Sequence, residues 1–193
     1  MGTAKSKPYQ PHTNFEGNPL HHLRRCIVVC LTFSTLAVVN VFAQSSHPLS
    51  LSARSDTIDS ILSERIETVL PGLMRRSGLD CWIMVSREYN EDPVLKTFLP
   101  SSWFSARRRT ILMIFDHGPD QPLETLAIAR YAVGKQFKSA WDPESMPNQW
   151  QRVRALLDER QPKRIGINVS ETFALADGLT KTDHEALVGA IGP

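Results

Sequence analysis

The chain beyond residue 43 predicts an α/β fold, a mixed β-sheet flanked by helices, on three observations. Apolar residues first recur at steps of three and four, then gather into short unbroken runs, and the later runs are separated by a further helical pattern. Ile58, Ile61, Leu62, Ile66, Val69, Leu70, Leu73 and Met74 share one helical face, with Ser55 or Asp56 placed to cap its start and Gly78 to stop it. Pro71 lacks the N–H that would bond the carbonyl of Glu67, so a kink or break is expected there. The runs Trp82–Val85, Ile111–Phe115, Leu126–Ala129 and Ile165–Ile167 have strand length, and the turn-rich DHGPDQP (116–122) suits a hairpin between the second and third. Trp150, Val153, Leu156 and Leu157 mark a helix ended by Pro162, and Thr182 with Glu185 three residues on predicts a capping box for a last helix.

With 193 residues the chain is long enough for one domain with a substantial core. Its formal charge of +2 comes from the front end, where Lys5, Lys7, Arg24 and Arg25 face Glu16 alone. Beyond residue 43 stand 18 basic and 19 acidic residues, so no electrostatic footprint for nucleic acid exists, and charge argues for no acidic membrane surface.

The front end divides into a disordered polar leader with a basic flank over 1–25 and an apolar segment over 26–43, CIVVCLTFSTLAVVNVFA. Basic flank, uncharged run and small residues at Val41 and Ala43 are the pattern of an export signal, cleaved after Ala43. An uncleaved membrane anchor is the alternative, since ~18 apolar residues is near the lower limit for spanning a bilayer. A buried helix fits less well, because the valines and Asn40 leave no amphipathic stripe; the pair Arg24 and Arg25 lacks the neighbours of a twin-arginine signal. The product is expected to be periplasmic or extracellular, touching a membrane only through an uncleaved leader. Cys26 and Cys30 go with the leader, which leaves Cys81 without an internal partner and, in an apolar run, as a small buried hydrophobe. The α/β domain itself is expected over 55–193, and its ending, VGAIGP, reads as a place where a longer chain was cut.

Motifs that carry chemistry are scarce. His47, His117 and His184 have no zincin spacing, and no G-x-S-x-G elbow, G-x-G-x-x-G or Walker loop occurs. Asn168, Val169 and Ser170 match a glycosylation sequon, which a cap role for Ser170 explains more simply. The informative stretch is SREYNEDPV (86–94), where an apolar strand empties into polar residues. Glu88, Glu91 and Asp92 are metal carboxylates or an ordinary solvated loop. Arg107, Arg108 and Arg109 form a solvated strand entrance, or one of them pairs bidentately with Glu91 or Asp92.

Four strings together, WIMVSREYNEDPV (82–94), SARRRTILMIFD (105–116), IARYAVGKQFKSAWDP (128–143) and RIGINVSETFALADGLT (164–180), resemble the N-terminal domain of bacterial pita-bread metallopeptidases, the family of aminopeptidase P, prolidase and creatinase. The resemblance implies a creatinase-type α/β domain that is followed, in family members, by a catalytic domain binding two divalent metal ions through Asp, Asp, His, Glu and Glu. No part of this sequence matches that second domain, so no metal, cofactor or catalytic residue carries over. The resemblance implies instead an interface or substrate-mouth role for Arg87, Tyr89, Asn90, Glu91 and Asp92, with Trp103 and Phe104 adding aromatic area. The expected partners are the catalytic domain or a neighbouring subunit of the parent peptidase, including a homo-oligomer. A stand-alone binding or scaffold protein is the rival reading, and a small α/β hydrolase using Ser86 or Cys81 a third.

Overall fold

Strands β1 (Cys81–Arg87), β2 (Arg109–Phe115), β3 (Glu124–Ile128), β4 (Lys138–Ser139) and β5 (Ile165–Ile167) form one open sheet in the computed structural model, which describes residues 48–192. Their order is β4-β3-β2-β1-β5. The three central strands pair antiparallel, with Cys81 opposite Phe115, Arg87 opposite Arg109, and Ile111 opposite Ile128. Both edge strands run parallel to their neighbours, β5 to β1 and β4 to β3, so the sheet is mixed as expected. The two-residue β4 has no counterpart among the apolar runs, because Lys138 and Ser139 are exposed.

Both faces of the sheet are covered, and that explains why β1 and β2 read as continuous apolar runs rather than alternating ones. Met84, Leu112, Ile114 and Ala127 pack on one face against Leu62, Ile66, Leu70 and Met74 of the first helical segment. Cys81, Ile83, Val85, Ile111, Met113 and Phe115 pack on the other against Val153, Leu156, Leu157 and Leu187.

The first segment consists of α1 (Leu51–Glu64), a π-helical turn (Arg65–Val69) and α2 (Leu70–Ser77). Its cap is Ser50, whose hydroxyl accepts from the Ala53 N–H, and Ser55 instead meets the Ser101 hydroxyl at 2.6 Å. The helix thus starts well before its apolar pattern, since a first turn in water needs no apolar residue. Pro71 does not break it. The wider turn just before lets the Leu70 N–H reach back five residues to Arg65, and Pro71 falls in the first turn of α2, where its missing N–H is harmless. Gly78 ends the helix in the left-handed conformation, φ 64°. The buried stripe is narrower than the pattern implied: Ile58, Ile61, Val69 and Leu73 are about half exposed.

On the opposite face lie α4 (Gln149–Arg160) and α5 (Lys181–Ile191); the intervening short helix α3 (Pro93–Lys96) follows β1. The cap of α5 is Thr180 rather than Thr182, its hydroxyl accepting from the Asp183 N–H. Two competing T-x-x-acid spacings overlap here, and the earlier wins because Asp183 is also drawn inward by charge. Ion pairs tie the layers at the far end of the sheet: Arg75 grips Asp116 through two hydrogen bonds of 2.9 and 3.0 Å, and Arg160 grips Glu124 at 2.6 and 2.7 Å. Hydrogen bonds from Arg160 hold the Glu124 carboxyl down to about 2. Among the described residues no helix is long and apolar enough to cross a membrane. The expected leader and cleavage after Ala43 lie outside the described residues.

Leu112→Ala, at a fully buried site in the central strand, should lower unfolding free energy in urea by about 2–5 kcal/mol, whereas half-exposed Ile58→Ser should change it by no more than about 0.5 kcal/mol. Glu124 has a carboxyl depressed from 4.5 to about 2, so its pair with Arg160 contributes fully above pH 4.5 and fades as pH falls toward 2. Glu124→Gln should flatten the stability profile across that window, measured by thermal melts at stepped pH.

Candidate binding cleft at one end of the sheet

The polar stretch after β1 is a tight turn followed at once by a capped helix. Arg87 and Asn90 exchange backbone hydrogen bonds of 3.4 and 3.0 Å, and Tyr89 closes the turn at φ 67°. Asp92 then caps α3: one carboxylate oxygen accepts from the Val94 and Leu95 N–H groups at 2.7 and 3.0 Å. Its other oxygen accepts from the Asn168 amide at 2.7 Å, and the Asn168 carbonyl oxygen accepts from the Trp82 indole at 2.8 Å. The Asp92 N–H donates to the Ser86 hydroxyl at 3.0 Å, so this residue is fully buried and locks the loop to β1 and to the segment after β5. Gly178 closes over it, and a Cβ there would fall 2.4 Å from the Asp92 carboxyl carbon.

The proposed loop surface therefore divides. Tyr89 and Phe104 stand clear at 93% and 92% exposure, Asn90 is exposed, and Glu91 and Trp103 are half-buried. Asp92 takes no part in that surface. Ser86 is buried with its hydroxyl spent on the loop, and burial pushes the Cys81 thiol up to about 12, which leaves little thiolate near neutrality. Asn168 is buried with both ends of its amide bonded, so the sequon is closed in the folded chain, and Ser170 caps a turn ahead of a short 3₁₀ segment (Ala174–Ala176) rather than a helix.

Arginine pairing also differs from the expectation. Arg87 and Arg109 face each other across β1 and β2, where two like charges repel. Asp183, in the first turn of α5 and 2% exposed, comes between them, 2.9 Å from the Nε of Arg87 and 3.3 Å from that of Arg109. Neither Nε points along an aligned hydrogen bond, so the contact is one of charge, and Thr180 completes it by donating to Asp183 and accepting from Arg87. No loop carboxylate of Glu91 or Asp92 is involved. Arg108 meets the loop through its backbone: its N–H donates to the Glu88 carboxylate, its carbonyl accepts from the Glu88 N–H, and it sits at φ 48°.

Beside this end of the sheet opens a cleft of about 630 Å³ lined by Glu88, Trp103, Arg107, Arg108, Arg109, Ala129, Arg130, Tyr131, Trp141 and Gln149. It gathers residues where β1 ends, β2 begins and β3 ends, and Gln149 holds two of those ends together by donating to the carbonyls of Arg109 and Ile128. Arg130, Tyr131, Trp141 and Gln149 were not singled out in the sequence; the pair Arg130 and Tyr131 just beyond an apolar run was the available signal. Asp92 is unsuited to hold a divalent cation, because both its carboxylate oxygens are taken by N–H donors, and one Glu88 oxygen is turned to the Arg108 amide. Among the described residues no three His, Cys, Asp or Glu side chains converge on one point. No known protein family, curated protein or solved structure matches the chain.

Gly178→Ala should destabilise the fold by about 1–3 kcal/mol, because Asp92 has nowhere to move without losing its cap. Asp92→Ala should cost a similar amount and raise protease sensitivity in residues 88–96, read by limited proteolysis with mass mapping.

Proposed function

We propose that the chain is the non-catalytic N-terminal domain of an exported Xaa-Pro aminopeptidase-like metallopeptidase, serving assembly and the shaping of a substrate entrance. The observation that carries this reading is the division of labour at the end of the sheet. Both candidate nucleophiles, Ser86 and Cys81, are spent inside the core, while arginine and aromatic side chains face outward around an open cleft. A mixed sheet with helices on both faces is the architecture that the resemblance of the four strings implies. The two metal ions and the bond-breaking step would belong to a catalytic domain, with a metal-bound hydroxide attacking the Xaa-Pro carbonyl there. In that assembly Arg87 has a positioning role, because its charge is committed to Asp183. Tyr89, Asn90, Trp103 and Phe104 supply contact area. A scaffold protein acting without a peptidase is the second reading, favoured by the same outward-facing aromatics.

The purified chain, supplied with Mn²⁺ or Zn²⁺, should release no amino acid from an Xaa-Pro peptide. Hydrolysis that persists through repurification and disappears in Ser86→Ala or Cys81→Ala would overturn the non-catalytic reading. The reading frame after codon 193 separates the two proposals: a following segment holding Asp, Asp, His, Glu and Glu supports the peptidase assignment, and an immediate stop supports the scaffold.

A further inference from the structure

The cleft holds a charge imbalance that the fold does not resolve. Arg107, Arg108, Arg109 and Arg130 line it, and Glu88 is the one carboxylate among the lining residues. Arg109 is answered by Asp183 and lies over the Trp150 ring at 5.1 Å. The guanidinium groups of Arg107, Arg108 and Arg130 pair with no carboxylate among the described residues, although ion pairs recur elsewhere on the domain. Glu88 is spent on the Arg108 amide. Like charges held in one concavity raise one another's energy, and its low-dielectric walls concentrate the resulting field.

The walls are also unusual. Trp103, Tyr131 and Trp141 share the cleft with the arginines, and Phe104 extends the aromatic rim into the neighbouring hollow lined by Glu88, Ser102, Trp103, Ser105, Arg107 and Tyr131. The backbone is fixed in place around them. Arg108 holds a left-handed conformation unfavourable for a side chain of its size, secured by its two bonds to Glu88. Trp141 is anchored by its indole N–H, which donates to the Met146 carbonyl at 2.7 Å. The planar guanidinium presents a fork of donors that matches the oxygens of a carboxylate or phosphate, and flat aromatic faces accept an apolar body beside it.

We infer that this cleft is a binding site for a small ligand bearing a terminal oxyanion, carboxylate or phosphate, held by Arg107, Arg108 and Arg130 with its body against Trp103, Tyr131 and Trp141. The site stands on the charge imbalance and the cleft geometry, so it holds whether or not the chain serves a peptidase.

Three probes test it by calorimetry and by ¹⁵N-resolved NMR on the full chain: inorganic phosphate, the tripeptide Ala-Ala-Phe with a free carboxyl terminus, and the same tripeptide amidated. The inference requires saturable binding of phosphate, of the free-acid peptide or of both, with shifts centred on residues 103–109 and 129–131 and on the Trp103 and Trp141 indoles. Binding of the acid alone identifies a chain-terminal carboxylate as the source, binding of phosphate alone a phosphorylated ligand, and binding of both the shared oxyanion chemistry. The amide should bind at least tenfold more weakly than the acid wherever the acid binds. Arg130→Gln and Arg107→Gln, at exposed positions where folding is checked by thermal melts, should each weaken the bound probe at least fivefold and reduce its salt dependence. Absence of binding by phosphate and acid at 10-fold molar excess over millimolar protein, equal binding of acid and amide, or unchanged affinity in both folded variants would overturn it.

Discussion

A sheet covered on both faces leaves its strands little room for a charged side chain except at their ends. β1 and β2 obey this closely: the polar residues Ser86, Arg87, Arg109 and Thr110 collect at one end, and apolar side chains fill the remainder. Because β1, β2 and β3 alternate in direction, the outgoing end of β1, the incoming end of β2 and the outgoing end of β3 arrive together. Charged groups excluded from both faces therefore gather at the two ends: ion pairs close the far one, and at the near one the turn at Glu88 and Tyr89, the arginine run and the segment at Arg130 and Tyr131 meet.

That concentration brings a cost, since arginines from paired strands oppose each other. Asp183 answers it from the other layer, and its place in the first turn of α5 suits a carboxylate because the helix dipole is positive there. One buried acid thus neutralises a cross-strand repulsion and fixes how α5 meets the sheet. Buried pairs of this kind contribute less to net stability than their Coulomb attraction suggests, but losing one member leaves the other charge stranded. For the outer arginines no carboxylate partner stands among the described residues.

Local pattern carried most of the architecture. The strands were legible because two-sided burial makes them unbroken apolar runs, and the hairpin because Asp116 to Pro122 is dense in turn formers. Helix starts were less legible: Ser50 and Thr180 cap their helices ahead of the residues that spacing indicated, since a cap is chosen by backbone geometry that apolar periodicity does not encode. Pro71 signalled a break, and the π-helical turn that accommodates it has no residue signature of its own. The cleft was only half legible. Arginines 107 to 109, Trp103 and the loop after β1 drew notice as polar or aromatic clusters, whereas Asp183 and Gly178 act through partners distant in the chain and look ordinary in their local context, and Asn168 stood out only as part of a sequon. Asp92 shows the converse, a loop acid that reads as exposed and is buried as a cap.

Asn168 bonds to Trp82 and Asp92 across separations of 86 and 76 residues. These two bonds tie the loop after β1 to the segment that leaves β5, so the rim is complete only when β5 is paired at the edge of the sheet. Without that amide the Asp92 carboxylate keeps its helix N–H groups but lacks its second donor, and Trp82 lacks its acceptor. The turn at Tyr89 and the cap at Asp92 are local, whereas their anchoring is borrowed from a strand most of a domain away, which makes the edge of the sheet the hinge on which the rim's order turns.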